Sequence, residues 1–311
     1  MDFGNFFNAS LIYASFRSAT PVIYAALCAA ITQQADILNI GTEGIMLTGA
    51  FAAVAVSYTT GSWVLAIAVA MFAGLLMAGI MAIANIKYGA DICAIGVGIN
   101  MFAIAFTKFL MTSVFGMRGT FSNPKIVAIP RIHIGWIENI NFLNQVFNDW
   151  ALTEWFVIVF IFLMWFVLFK TRWGLHLRAV GKYPLAAQTA GINVISMKYQ
   201  AILISGLVGG LAGAHLSLGY SKLFTENMTN NRGFMGVAAM FFGNAHPVYT
   251  AIGCLVFGFV DSVGARLQSY GVASQLVLMM PYLVTVIVLS FSMVSKYYAN
   301  KNKNSSLLKV N

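Results

Sequence analysis

Asp36, Asn39, Glu43, Asn100, Lys108 and Asp261 stand out because the sequence around each of them is almost unbroken hydrocarbon. Three of them fall within one stretch, "DILNIGTEGIMLTGAF" (residues 36–51). An ionised side chain at the centre of a bilayer costs ~2.5–3.5 kcal/mol even on a lenient insertion scale, so such a group faces a cavity or a partner, or takes up a proton. That leaves three kinds of chemistry. Asp36 and Glu43 could relay protons. Glu43 could cap a helix start or pair within a bundle. Alternatively, Asn39, Glu43 and Asn100 could line or brace a solute pathway, because Gly41 and Gly44 weaken the helix, and broken helices beside water are how transporters tolerate polar backbone at depth. A role based on hydrogen bonding predicts that Glu43→Gln keeps most function while Glu43→Leu loses it.

Other chemistry finds no constellation. The four histidines (His133, His176, His215, His246) lack HExxH or any other ligand spacing, so no metal site is expected. Cys28, Cys93 and Cys254 are far apart and odd in number, which indicates neither a disulfide framework nor a zinc site. There is no GxSxG elbow. In "GLHLRAVGKYP" the Gly-Lys pair has His176 and Tyr183 where a phosphate-binding loop requires glycine and a hydroxyl. The chain is expected to bind no cofactor and to be no enzyme.

The elements that must position these residues are membrane helices. The chain is 59% hydrophobic and 9% charged, with mean hydropathy +0.80; soluble domains carry about 25% charge. The expected fold is all-α, a single domain over 1–311 built as a polytopic helix bundle of about nine spans. Candidate spans lie at 9–31, 36–58, 62–86, 90–114, 151–169, 199–221, 233–245, 247–268 and 273–295, the seventh being too short to cross unaided. The N-terminus lacks the basic start of a cleaved signal peptide, so the first span is expected to remain.

A net charge of +9 is compatible with a nucleic-acid partner, but its placement fits membrane topology better. With nine spans, Lys87, Lys170, Arg172, Arg178, Lys182, Lys198, Lys296, Lys301, Lys303 and Lys309 fall on one side. Arg118, Lys125, Arg131, Lys222, Arg232 and Arg266 fall on the other. The positive-inside bias then puts the N-terminus and the 115–150 loop outside, and 170–198 and the C-terminal tail in the cytoplasm.

Two further features concern contact. Gly206, Gly209, Gly210 and Gly213 form overlapping small-residue patterns that let helix backbones approach, so Gly206, Gly210 and Gly213 are expected at a helix-packing seam. The loop "TRWGLHLRAVGKYPLAAQTAGINVISMK" (171–198) reads as short helices with a turn at 181–184 and a stop at Gly191. Its alanines give a smooth surface flanked by basic residues, suited to docking in another protein's groove.

At this point the sequence becomes familiar. "RAVGKYPLAAQTAGI", followed by "SGLVGGLAGA", resembles the coupling-loop segment of bacterial ATP-binding-cassette (ABC) importer permeases of the type-2 inner-membrane-component family, which includes ribose-type and branched-chain amino acid permeases. "NIGTEGIMLTGAF" is similar to that family's second-helix signature, and "GFMGVAAMFFGNAHPVYTAIGCLVFG" to its C-terminal one. "TEG" and "IPRIHIGW" look most like the shorter permease of purine nucleoside importers that work with a lipid-anchored binding protein. The resemblance implies a bacterial plasma-membrane permease that moves nucleosides, with ribose or another simple sugar as the nearest alternative and a proton-coupled secondary transporter as a remoter one. It also implies a second, different permease chain, an external lipoprotein, and a cytoplasmic ATPase that uses ATP and magnesium. Arg178, Gly181, Pro184, Ala186, Ala187 and Gly191 would meet that ATPase. Lys182 and Tyr183 depart from the family's usual acidic residue and asparagine.

Overall fold

A computed structural model describes residues 8–135, 138, 141–271 and scattered positions up to 290. The described residues are mostly helical, because in hydrocarbon each backbone amide must find a partner within its own segment. Helices α1 (Ala9–Gln33), α2 (Thr42–Thr60), α3 (Trp63–Ala82), α4 (Ile92–Phe115) and α5 (Asn141–Phe147) fill the first half. Helices α6 (Leu152–Lys170), α7 (Arg172–Lys182), α8 (Pro184–Thr189), α9 (Val194–Ala214), α10 (Arg232–Phe242) and α11 (Pro247–Ser269) follow. Wider π-wound turns extend α3 over Ile83–Lys87 and α9 over His215–Ser221.

Among the described residues, six helices are long and apolar enough to cross a membrane: α1, α3 and α9 with their extensions, α4, α6 and α11. The expected count of nine is not confirmed among these residues. The second expected span, 36–58, begins as a helix only at Thr42, and its polar content keeps it below the hydropathy of a free-standing span. The seventh, expected at 233–245, is the short helix α10, and most of the ninth lies outside the described residues.

Burial explains the polar second helix. Helices α1, α2 and α9 are buried along most of their length. Around them α3, α4 and α6 present Leu65, Phe72, Met101, Phe109, Val159 and Phe162 outward. In lipid the apolar side chains can face out, and the small and polar ones gather at helix–helix seams. At Gly206, a β-carbon would lie 2.7 Å from the carbonyl oxygen of Gly74; at Gly210, it would overlap the carbonyl oxygen of Ala70 and come within 2.8 Å of Cα of Met71. At Gly213, it would overlap the carbonyl oxygen of Met46. Helix α9 is thus wedged between α2 and α3 with backbones touching.

The two ends of the bundle differ. At one end, two small ribbons pair β1 (Thr120–Phe121) with β4 (Phe224–Thr225) and β2 (Arg131–Ile132) with β3 (Trp150–Ala151), tying down the 115–150 loop. Tyr13, near the start of α1, donates to the Asp149 carbonyl there. At the other end of α1, Gln34 donates to the Ala245 carbonyl and its own carbonyl touches Gly181. The two contacts are separated along the α1 axis by the rise from Tyr13 to Gln34, about 32 Å. The 115–150 and 170–198 segments therefore lie at opposite ends.

Beside the β2–β3 ribbon, His133 sits between Glu138 (2.5 Å) and Asp149 (3.3 Å). Hydrogen bonds to Glu138 and then Asp149 raise its pKa above the usual histidine value. A raised folded-state pKa stabilises the loop fully below the unfolded value of about 6.5, and that stabilisation is lost as pH rises through the folded one. Limited proteolysis between 131 and 151 should therefore be slowest in mild acid and quicken in mild alkali, and His133→Gln should remove the dependence. A pH-independent cleavage rate in the unmutated protein would contradict this.

Candidate functional site

The two broken stretches of the fold meet inside the bundle. After α1 the chain turns at Asp36, which adopts a left-handed φ of 58°, and runs without helix to Gly41. Helix α2 therefore starts within the protein, with its first amides needing acceptors. Asn100 of α4 supplies one: its Oδ1 accepts from the Gly44 amide at 2.8 Å while its Nδ2 donates to the Ile40 carbonyl at 3.0 Å. One side chain so bridges the last non-helical turn and the first helical one. This is possible because Gly44 and Gly96 have no side chains; a β-carbon at Gly44 would lie 2.8 Å from the Ile99 carbonyl oxygen.

The second break follows α9. Residues 222–231 leave the ribbon end and return inward, with Lys222, Asn227, Asn230 and Asn231 all at left-handed φ, a conformation asparagine tolerates better than most residues. Helix α10 then begins against Glu43. Glu43 Oε1 accepts from the Asn231 amide at 2.8 Å, and Oε2 from the Gly233 amide at 2.6 Å. A β-carbon at Gly233 would sit 2.7 Å from Glu43 Cα, so glycine there lets the two helix starts press together. A carboxylate is well placed here, since unpaired amides and the helix dipole make a helix start locally positive.

Asn39, Glu43 and Asn100 are brought within one cluster, and all three are buried. Asn39 donates to Ser205 Oγ of α9 at 3.3 Å, and its Oδ1 has no partner among the described residues. The acid that caps α10 lies on α2, some 190 residues earlier in the chain, and no local signal in the sequence pairs them. Asp36 instead lies at the end of the bundle, on a cavity of about 280 Å³ shared with Gln34, Arg178 and Lys182. Lys108 pairs with Glu226 at 3.5 Å near the ribbon end, where a hydrogen bond from the Gly119 amide, with Lys108 beside it, lowers the Glu226 pKa.

At the Asp36 end, α7 and α8 form a helical hairpin. Thr171 caps α7 by accepting from the Gly174 amide, and Pro184 occupies the first turn of α8, where its missing N–H costs nothing. Gly181 lies directly on the Gln34 carbonyl, fixing the hairpin to the end of α1. Arg178 stacks over Phe169 with its guanidinium 4.8 Å from the ring centre. Gly191 ends the segment at φ +82°, a conformation that favours glycine. Ala186 is exposed, but Ala187, expected on the same outward face, is buried against the chain's own core. What α8 offers outward is Tyr183 and Leu185, 74% and 79% exposed.

Comparison with known proteins places these features in a family. The family described as the permease component of the branched-chain amino acid transport system matches residues 11–289. The guanosine ABC transporter permease protein NupQ of Bacillus subtilis is 35% identical over 294 residues, 91% of this chain and 90% of its own. The nucleoside ABC transporter permease protein NupC of Lactococcus lactis is 33% identical over 284 residues, covering 88% of each. A putative glucose ABC transporter permease protein, TsgC13 of Haloferax volcanii, is 29% identical over 312 residues, 93% of each. The matched stretch runs from α1 past α11 and takes in both breaks and the α7–α8 hairpin, and the chain belongs to this family of ABC transport-system permease components.

Proposed function

We propose that the chain is the permease subunit of an ABC importer that carries nucleosides inward across the bacterial plasma membrane. The observation that carries this reading is the identity of 35% and 33% to a guanosine and a nucleoside permease over about nine-tenths of each chain. The chain itself does no covalent chemistry. Its two halves rock about the pathway, and a separate ATPase that uses ATP and magnesium supplies the energy through the α7–α8 hairpin. A second permease chain completes the pathway, and an external lipid-anchored protein delivers the solute. The hairpin end is cytoplasmic, the ribbon end and N-terminus external, and the C-terminus internal, in keeping with the basic residues of 170–198. Asn39, Glu43 and Asn100 brace the broken helices beside the pathway.

Uptake of labelled guanosine by cells carrying the complete importer tests the reading, with ribose and glucose as parallel arms. Nucleoside uptake that stops on ATP depletion is expected. Sugar uptake alone would favour the second reading suggested by the 29% match to a glucose permease. Uptake indifferent to ATP would indicate a secondary transporter.

The hairpin carries its own prediction. Leu185→Glu puts a charge on a side chain that touches little of its own chain, so folding should be unchanged. If Leu185 anchors in the ATPase cleft, its loss should cost about 2 kcal/mol or more of association, a fall of over tenfold in co-purified ATPase. Ala187→Trp would instead disrupt the chain's own packing, because Ala187 is buried. Full ATPase recovery with Leu185→Glu would remove α8 from the docking surface.

A further inference from the structure

Asp261 is an ionisable side chain in the middle of a membrane-length helix, yet its side chain is 40% exposed. It faces a cavity of about 290 Å³ near the ribbon end, between α1, α11 and the π-wound end of α9. Such residues mark solute pathways when they face water within the membrane. The cavity has unusual walls. Tyr220 is flanked by two guanidinium groups, that of Arg17 5.1 Å and that of Arg232 5.8 Å from its ring centre. The ring centre of Tyr13 also lies 5.8 Å from the Arg17 guanidinium.

Neither of these two arginines is available to an anion. Arg17 lies 3.6 Å from Glu154 and donates to the Tyr220 carbonyl at 2.8 Å, while Arg232 lies 3.8 Å from Asp261. Ser18 donates to Asp261 Oδ2, leaving the exposed carboxylate with spare acceptor capacity. Arg266, also on the cavity wall, donates to Asn8 Oδ1 and Ser10 Oγ. Arginines held by their own partners, aromatic rings and an open carboxylate describe a site for a neutral solute with a flat π-system and several hydroxyls. The volume is close to the lower bound of about 300 Å³ for small-molecule sites.

We infer that this cavity is the outer way-station at which the permease receives a neutral nucleoside, the base lying against the exposed parts of the Tyr13 and Tyr220 rings, and the sugar hydroxyls donating to Asp261. This rests on the nucleoside reading above. Arg232, which pairs with Asp261, is the first residue of α10, so the cavity's carboxylate is linked through this pair to the half-helix that Glu43 caps. Solute that engages Asp261 thereby competes with Arg232 and can loosen the start of α10.

The test uses the assembled importer with Cys28, Cys93 and Cys254 replaced, and guanosine uptake by this parent is measured first. No uptake would remove both the nucleoside reading and this inference. Given uptake, Ala265→Cys, on the cavity wall, and Thr59→Cys, exposed on α2, are treated with an impermeant cationic thiol reagent. Modification at 265 should slow uptake about tenfold or more, a loss of the size expected when a solute site is blocked. Excess guanosine should protect it and ribose should not, while modification at 59 should leave uptake unchanged. Labelling at 265 without loss of uptake, or without protection, would overturn the inference. Independently, Asp261→Asn should raise KM for guanosine at unchanged importer abundance. A purely structural ion pair would instead lower abundance, or lower kcat at constant KM.

Discussion

Glu43→Gln is expected to lose much of its transport and to unfold at lower temperature than the unmutated protein, even though the two side chains have nearly the same shape. Read from the sequence as a generic hydrogen-bonding group, Glu43 should tolerate glutamine. In the fold, both of its oxygens accept from backbone amides, those of Asn231 and Gly233. Glutamine retains one acceptor and turns an NH₂ group toward an N–H donor, so one bond is lost and two donors face each other. A hydrogen bond to a charged group contributes about 1.5–3 kcal/mol, which is the expected destabilisation. Glu43→Leu loses both bonds and leaves two buried amides unpaired, roughly twice that cost. Thermal unfolding of detergent-purified protein orders the three: unmutated, then Gln, then Leu. A glutamine variant with unmutated melting temperature and uptake would show that the two amides do not depend on the carboxylate.

The largest structural effect is expected at Gly210, where α9 lies against both α2 and α3. Its own backbone touches Gly49, and any β-carbon would overlap the Ala70 carbonyl oxygen. Gly210→Leu therefore cannot be absorbed by a change of rotamer. The helices must separate, and close packing is what holds helices together in lipid, where neighbouring tails are as apolar as the helices themselves. Folded protein recovered as a single species by size exclusion should fall below detection. Gly98 is the internal control, because open space surrounds its Cα. Gly98→Ala should be tolerated and even gain up to about 1 kcal/mol of helix propensity. Equal recovery of Gly210→Leu and unmutated protein would mean that α9 does not pack as described.

Much of this architecture was legible in the residues. Long apolar runs set α1, α3, α4, α6 and α11 to within a few residues, because spanning hydrocarbon demands a continuous helix of nearly fixed length. The helix-packing glycines were legible too, since only their spacing matters. The start of α2 was less so: an apolar run beginning at 36 looks like a span, and only the Asn100 clasp on Ile40 and Gly44 shows where helix begins. Pairing over long separations left no trace at all. Nothing near Glu43 announces Asn231, and nothing near Asp261 announces Ser18 or Arg232, because these contacts depend on how helices lie side by side. The inward turn of Ala187 was likewise hidden, as α8 is six residues long and too short for a helical period to distinguish its faces.

The wide turns at His215–Ser221 amount to an α-helix that has taken in surplus chain. Since each residue of an α-helix advances the azimuth by about 100°, every added residue rephases all that follows by that angle. Upstream, Gly206, Gly210 and Gly213 keep their seam with α2 and α3; at the far end of the wide turns, Tyr220 faces Arg17 and Arg232. The bulge works as a joint between two phases of one rod, so packing and solute-facing positions can diverge without disturbing each other. An indel within 215–221 would be heard at Tyr220 and silent at Gly210, whereas the same indel a few residues earlier would unseat both.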